Sequence, residues 1–148
     1  MLLAGCGTGN EDDELTTQVR IQSVVPTNNS SNDYKLILVG VHDTSVVIII
    51  RATNREAKVF EKDSEDINRG SSSLVQLEQQ IKQSGNEVKS VLKNRFKDGI
   101  YYGQILTAQG ISILTYDATA IDAISIAFKT RSSIYFEKGL IKFIQNSH

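Results

Sequence analysis

Along the chain the apolar positions change their period several times, and each change marks an element. Gln18-Val19-Arg20-Ile21-Gln22-Ser23-Val24 alternates with period two, which predicts a half-buried strand ended by Pro26 and the polar run Thr27 to Asp33. Tyr34 to Val41 and Ser45 to Arg51 are apolar and β-branched, and the short polar link His42-Asp43-Thr44 between them predicts a two-stranded ribbon buried on both faces. Asn54 then stands as N-cap before the helix formers Arg55 to Lys62, with Glu56 in the positive first turn, so a short helix follows.

A clearer helical pattern comes next. Leu74, Leu77 and Ile81 fall at i, i+3 and i+7, Ser73 and Gln76 are spaced as a capping box, and Gly85 takes the residue just past the C-terminus. Val88 to Phe96, Gly99 to Ala108 and Ile111 to Tyr116 are strand-like, with turn signals at Lys97-Asp98-Gly99 and Gln109-Gly110, and predict an antiparallel meander. From Asp117 onward Ile121, Ile124 and Phe128 share one helical face, and the intervening alanines permit close approach to a sheet. Ser133 to Phe136 reads as a short strand and Glu137 to Ile144 as a terminal helix. The order predicts a single α+β domain: a mixed, mostly antiparallel sheet with three to four helices packed on it. No repeat or interdomain linker is read along it. The domain is placed at residues 17–148, behind a flexible arm at 1–16 whose glycines and acidic run read as solvated.

Composition narrows the chemistry. With 148 residues, 40% apolar and 22% charged, the chain has the profile of one ordinary core. Sixteen basic against seventeen acidic residues leave a net charge of -1, so binding to nucleic acid has to use a local basic patch. The lone Cys6 excludes an intramolecular disulfide, and His42 and His148 are too far apart to suggest a zinc or haem site. There is no phosphate-binding glycine loop, dinucleotide motif or nucleophile elbow, and no organic cofactor is expected. Apolar runs such as Val46 to Ile50 are far below the roughly 20 residues that cross a bilayer. Seventeen isoleucines, one proline and no tryptophan suggest an AT-rich genome, and with it a plastid stroma or a bacterial cytoplasm. Leu3-Ala4-Gly5-Cys6 resembles a lipobox but lacks the basic and apolar stretches that precede one, so membrane anchoring is the less favoured alternative.

Candidate functional residues are few. Lys89, Lys93, Arg95 and Lys97 repeat with period two and are placed either to meet phosphates or simply to solvate a strand face. Tyr101 and Tyr102 point to opposite faces, so one is free to stack on a base. Glu56 and Asp117 read equally as ordinary acids at helix N-termini, and Asp98 as a turn residue beside Gly99. Asp122 is more telling, because it lies in an apolar, alanine-rich helix where an unpaired charge is costly.

Three stretches together resemble the bifunctional nuclease domain family, whose members act on DNA and RNA. They are Val47-Ile48-Ile49-Ile50-Arg51-Ala52-Thr53-Asn54-Arg55-Glu56-Ala57, then Lys97-Asp98-Gly99-Ile100-Tyr101-Tyr102-Gly103-Gln104-Ile105, then Tyr116-Asp117-Ala118 with Asp122-Ala123-Ile124-Ser125-Ile126-Ala127 and Ser133-Ile134-Tyr135-Phe136. Where the family reads Arg-Pro-x-Thr-His-Asp-Leu, this chain reads Arg69-Gly70-Ser71-Ser72-Ser73-Leu74-Val75, so the arginine stays while Ser73 and Leu74 replace the histidine and the acid. The resemblance implies phosphodiester hydrolysis in DNA or RNA, with Glu56, Asp122, Arg69 and Asp117 as catalytic candidates. Glu56 and Asp122 are implied as ligands of a divalent Mg or Mn ion, with Lys93, Arg95, Lys97 and Tyr102 on the nucleic acid. The alternative is a degenerate member that binds or regulates. An exposed sheet edge adds the expectation of a homo-oligomer.

Overall fold

Seven strands make one mixed sheet in the computed structural model, which describes residues 15–27, 32–61, 72–98 and 100–141. β1 (Thr16–Pro26), β2 (Asp33–Gly40) and β3 (Val47–Thr53) form a first antiparallel meander. β4 (Glu87–Lys97), β5 (Ile100–Gln109) and β6 (Ser112–Thr119) form a second. β7 (Ser133–Glu137) joins them, antiparallel to β1 and parallel to β4, in the order β3-β2-β1-β7-β4-β5-β6. This is the single α+β domain that the order of elements predicts. The expected arm lies almost wholly in residues 1–14, outside those described, as does the terminal helix beyond residue 141.

Each meander runs directly into a helix. The first leads into α1 (Asn54–Ala57), which tightens into a 3-10 turn at Lys58–Phe60; the second leads into α3 (Ala120–Thr130). α2 (Ser72–Ser84) lies between the two halves and stops at Gly85, whose φ of 76° suits the left-handed stop expected there. The junctions echo each other in sequence, Ala52-Thr53-Asn54-Arg55-Glu56-Ala57 against Ala118-Thr119-Ala120-Ile121-Asp122-Ala123, and in each the threonine is the N-cap. The echo is too faint to stand out as a sequence repeat, because only the alanines, the threonine and an acid recur.

α3 is enclosed. Every residue from Ala120 to Ala127 is buried, and the helix touches β4 to β7, the 3-10 turn and α2. Its alanines bring it close to the sheet face carrying Val91, Ile105, Ile134 and Phe136. Leu36, Leu38, Ile48 and Ile50 extend the same core under α1, where Val59 closes it.

Several expectations need correction. The N-cap of α1 is Thr53 and not Asn54, which is the first helical residue. The β2–β3 ribbon is not buried on both faces: Ile48 and Ile50 face the helices, whereas Val47 and Ile49 point outward and are 44% and 39% exposed. An unbroken apolar run hides this because side chains alternate whatever their polarity. Asp117 is not at a helix start, since β6 continues to Thr119 before α3 begins. Finally, β4 shifts register between Val88 and Ser90 and again between Lys93 and Arg95, so its basic residues do not form one period-two row.

The β2–β3 turn is held by Gly40 N–H to Val46 O at 2.9 Å and by Asp43 Oδ1, which accepts from Ser45 N at 3.0 Å and Ser45 Oγ at 2.6 Å. Those two donors hold the Asp43 carboxyl below the usual aspartate range. Their contribution is therefore full at neutral pH and lost as acidification passes through that lowered value; a smaller protection factor for the Ser45 amide in acid, relative to its intrinsic exchange rate, is the expected signature. A Cβ on Gly40 would run into the Asp43 carbonyl. Gly40→Ala should lower stability by roughly 1–3 kcal/mol in urea titration; an unchanged midpoint would show that the turn relaxes freely.

Candidate functional site

Glu56 is a capping residue. At the third position of α1 its Oε1 accepts from Thr53 N at 2.8 Å while Thr53 Oγ1 accepts from Glu56 N at 3.2 Å, a complete capping box. Asp122 occupies the same local position in α3, and its N–H donates to Thr119 Oγ1 at 3.4 Å. Its side chain is one methylene shorter and bonds elsewhere. Asp122 Oδ2 accepts from Ser73 Oγ at 2.6 Å, joining the first turn of α2 to the first turn of α3 across 49 residues. Asp122 is only 5% exposed, so this charge-assisted bond replaces hydration.

Ser73 was expected to cap α2, but the helix already begins at Ser72 and its hydroxyl bonds Asp122. Leu74, the neighbouring position, is 1% exposed and belongs to the core. Arg69 lies outside the described residues. The expected metal pair, Glu56 and Asp122, is thus split between two caps, one carboxylate bonded to Thr53 and the other to Ser73. Among the described residues no group of three or more His, Cys, Asp or Glu could hold a metal ion. The described residues do not fit a divalent-ion site.

Asp117 belongs to a different surface. It pairs with Gln104 across β5 and β6, and Gln104 Nε2 donates to Asp117 Oδ1 at 3.4 Å. Gly103, Ile105 and Thr107 alternate toward the core, which turns Tyr102 and Gln104 to the face away from the helices. Tyr101 packs on the core side, where burial pushes its phenol up, and Tyr102 is the outward tyrosine. The Arg95 guanidinium sits over the Tyr102 ring, 5.4 Å from its centroid. Arg95, Tyr102, Gly103, Gln104 and Asp117 line a cleft of about 150 Å³.

Of the other basic candidates, Lys97 is exposed at the end of β4 and Lys93 pairs through its backbone with Gly103. Lys89 forms an exposed ion pair with Glu87 at 3.5 Å. The structure therefore brings Asp117, expected among the catalytic acids, together with Arg95 and Tyr102, expected on the nucleic acid. Gln104, which completes the cleft, was missed; its alternation with Tyr102 along β5 was the available signal.

A second hollow, of about 1200 Å³, runs between β1 and the C-terminal end of α3. Arg20, Tyr34, Phe60, Phe128 and Arg131 line it, with Phe60 edge-on to Phe128 at 5.1 Å between centroids. Arg131 caps α3 in the left-handed region at φ 57°, an uncommon conformation for a side-chain-bearing residue. No residue expected from the sequence to be functional lines this hollow.

Ser73→Ala removes a 2.6 Å donor from a nearly buried carboxylate and should cost roughly 1–3 kcal/mol in urea titration. A change below a few tenths would mean that the tie between α2 and α3 carries no stability.

A family model described as the bifunctional nuclease domain matches residues 36–147. That span covers most of the chain, which therefore belongs to the bifunctional nuclease domain family. No curated protein matches it.

Proposed function

We propose that this member of the bifunctional nuclease domain family binds single-stranded DNA or RNA on the open face of β4 to β6. The observation that carries the reading is the guanidinium of Arg95 set over the ring of Tyr102 beside a small polar cleft. An outward ring gives a base a stacking platform, and guanidinium and ammonium groups at Arg95 and Lys97 meet the backbone phosphates. With a net charge of -1 the affinity depends on this patch and on ionic strength. No helix of the described residues is long and apolar enough to cross a membrane. We further propose residence in a plastid stroma or bacterial cytoplasm, on composition, and self-association through Val47 and Ile49 on edge strand β3, which light scattering would read.

Fluorescence anisotropy with labelled ten-nucleotide single strands tests the binding reading. Tyr102→Ala should weaken binding about tenfold, since one stacked base contributes roughly 1–3 kcal/mol. Arg95→Ala and Lys97→Ala should each flatten the log–log salt dependence by about 0.7. No binding by the wild type, or identical curves for all three variants, would remove the reading.

Phosphodiester hydrolysis centred on Asp122 is the second reading, favoured by the family match and by a carboxylate held almost dry at a helix start. The described residues gather no three His, Cys, Asp or Glu around a metal ion beside Asp122. Labelled RNA and DNA incubated with magnesium, manganese or EDTA should be cut by wild type and by Glu56→Gln, which changes only a cap, and left intact by Asp122→Asn. Equal trace cutting by all three proteins would mark contamination and leave binding as the function.

A further inference from the structure

Asp117 stands on the same open face as Arg95 and Tyr102, where a carboxylate weakens the attraction for phosphate unless it meets donors on the ligand. Base edges carry such donors. Among the described residues Asp117 forms no ion pair: Arg95 lies in the same cleft, yet its guanidinium is set over Tyr102. What touches the carboxylate is the Gln104 amide, at a loose 3.4 Å. The pair thus presents acceptor oxygens beside an amide N–H, at the foot of a ring wall. The cleft, about 150 Å³, is smaller than the roughly 300 Å³ at which drug-sized sites begin, and suits one planar ring rather than a whole nucleotide.

Resting on the strand-binding reading, we propose that this cleft is a guanine subsite, in which a base stacked against Tyr102 is read by Asp117 and Gln104. The donor pattern selects the base. Guanine alone presents two adjacent donors, N1–H and N2–H, to the two oxygens of a carboxylate, with O6 beside them to accept from the Gln104 amide. Adenine puts the N1 lone pair against the carboxylate, uracil offers a single donor flanked by two acceptors, and cytosine a single donor next to the N3 acceptor. Each mismatch leaves an acceptor facing an acceptor. These edges are free only in unpaired strands, so the subsite works on single-stranded segments.

The test uses uridine decamers carrying one central guanine, inosine, 2-aminopurine or adenine, with the all-uridine strand as reference, titrated by anisotropy. Guanine should bind about tenfold tighter than adenine, the discrimination of one good bidentate contact. Inosine and 2-aminopurine, each lacking one of the two donors, should fall between. Asp117→Asn should bring the guanine-to-adenine ratio close to one. Gln104→Leu should lower that ratio in part and, because it keeps the charge, separates base reading from a general electrostatic or folding effect. Equal affinity for all central bases, with the uridine strand still bound, overturns the subsite and leaves strand binding intact. A ratio that survives Asp117→Asn also overturns it. Failure of every strand to bind overturns both.

Discussion

A helical stretch without a solvated side has to be enclosed, and α3 contains one: every residue from Ala120 to Ala127 is buried. Small residues let it settle over the seam where the two meanders meet, and the left-handed residue Arg131 turns the chain back so that Ile134 and Phe136 of β7 lie beneath it. Its polar groups are satisfied internally. Ser125 and Thr130 return their hydroxyls to carbonyls one turn earlier, both at 2.7 Å, and Asp122 takes the Ser73 hydroxyl from α2. Enclosure thus dictates sheet order, helix contacts and the partner of Asp122, the buried acid among the described residues.

The two sheet faces consequently carry different burdens. The covered face is committed to packing, so a carboxylate there becomes a structural tie. The open face leaves side chains available to solvent and ligand, and Arg95, Tyr102, Gln104 and Asp117 gather on it. Three carboxylates with similar sequence credentials meet different fates for concrete reasons. Glu56 is long enough to reach back to its own cap, Asp122 is one methylene too short and finds α2, and Asp117 falls before the helix start on an outward strand position.

Where local chemistry decides, the sequence is transparent. Gly85, the β4–β5 and β5–β6 turns, α3 and β7 follow from spacing and from residues able to take the required backbone angles. Tertiary choices are opaque for equally physical reasons. Ser73 and Gln76 satisfy the spacing of a capping box, and nothing nearby reveals a carboxylate arriving from 49 residues away. Val47 to Ile50 cannot say which of its faces a helix will cover. The bulges in β4 break a row of basic residues that the sequence draws as continuous. The hollow between β1 and α3 is assembled from distant segments and has no local signature.

β7 has a consequence in time as well as space. Among the described residues it is the last strand in sequence, and yet it lies at the centre of the sheet, between β1 and β4. During synthesis both meanders emerge before the strand that unites them, each able to close its own short-range hairpins quickly. The inner edges of β1 and β4 then wait as unpaired ladders until Ser133–Glu137 arrives to zip both at once. Cooperative closure is thus deferred until the chain has been made through Glu137, and until then the nascent chain is open to pairing with a wrong edge and to chaperone capture.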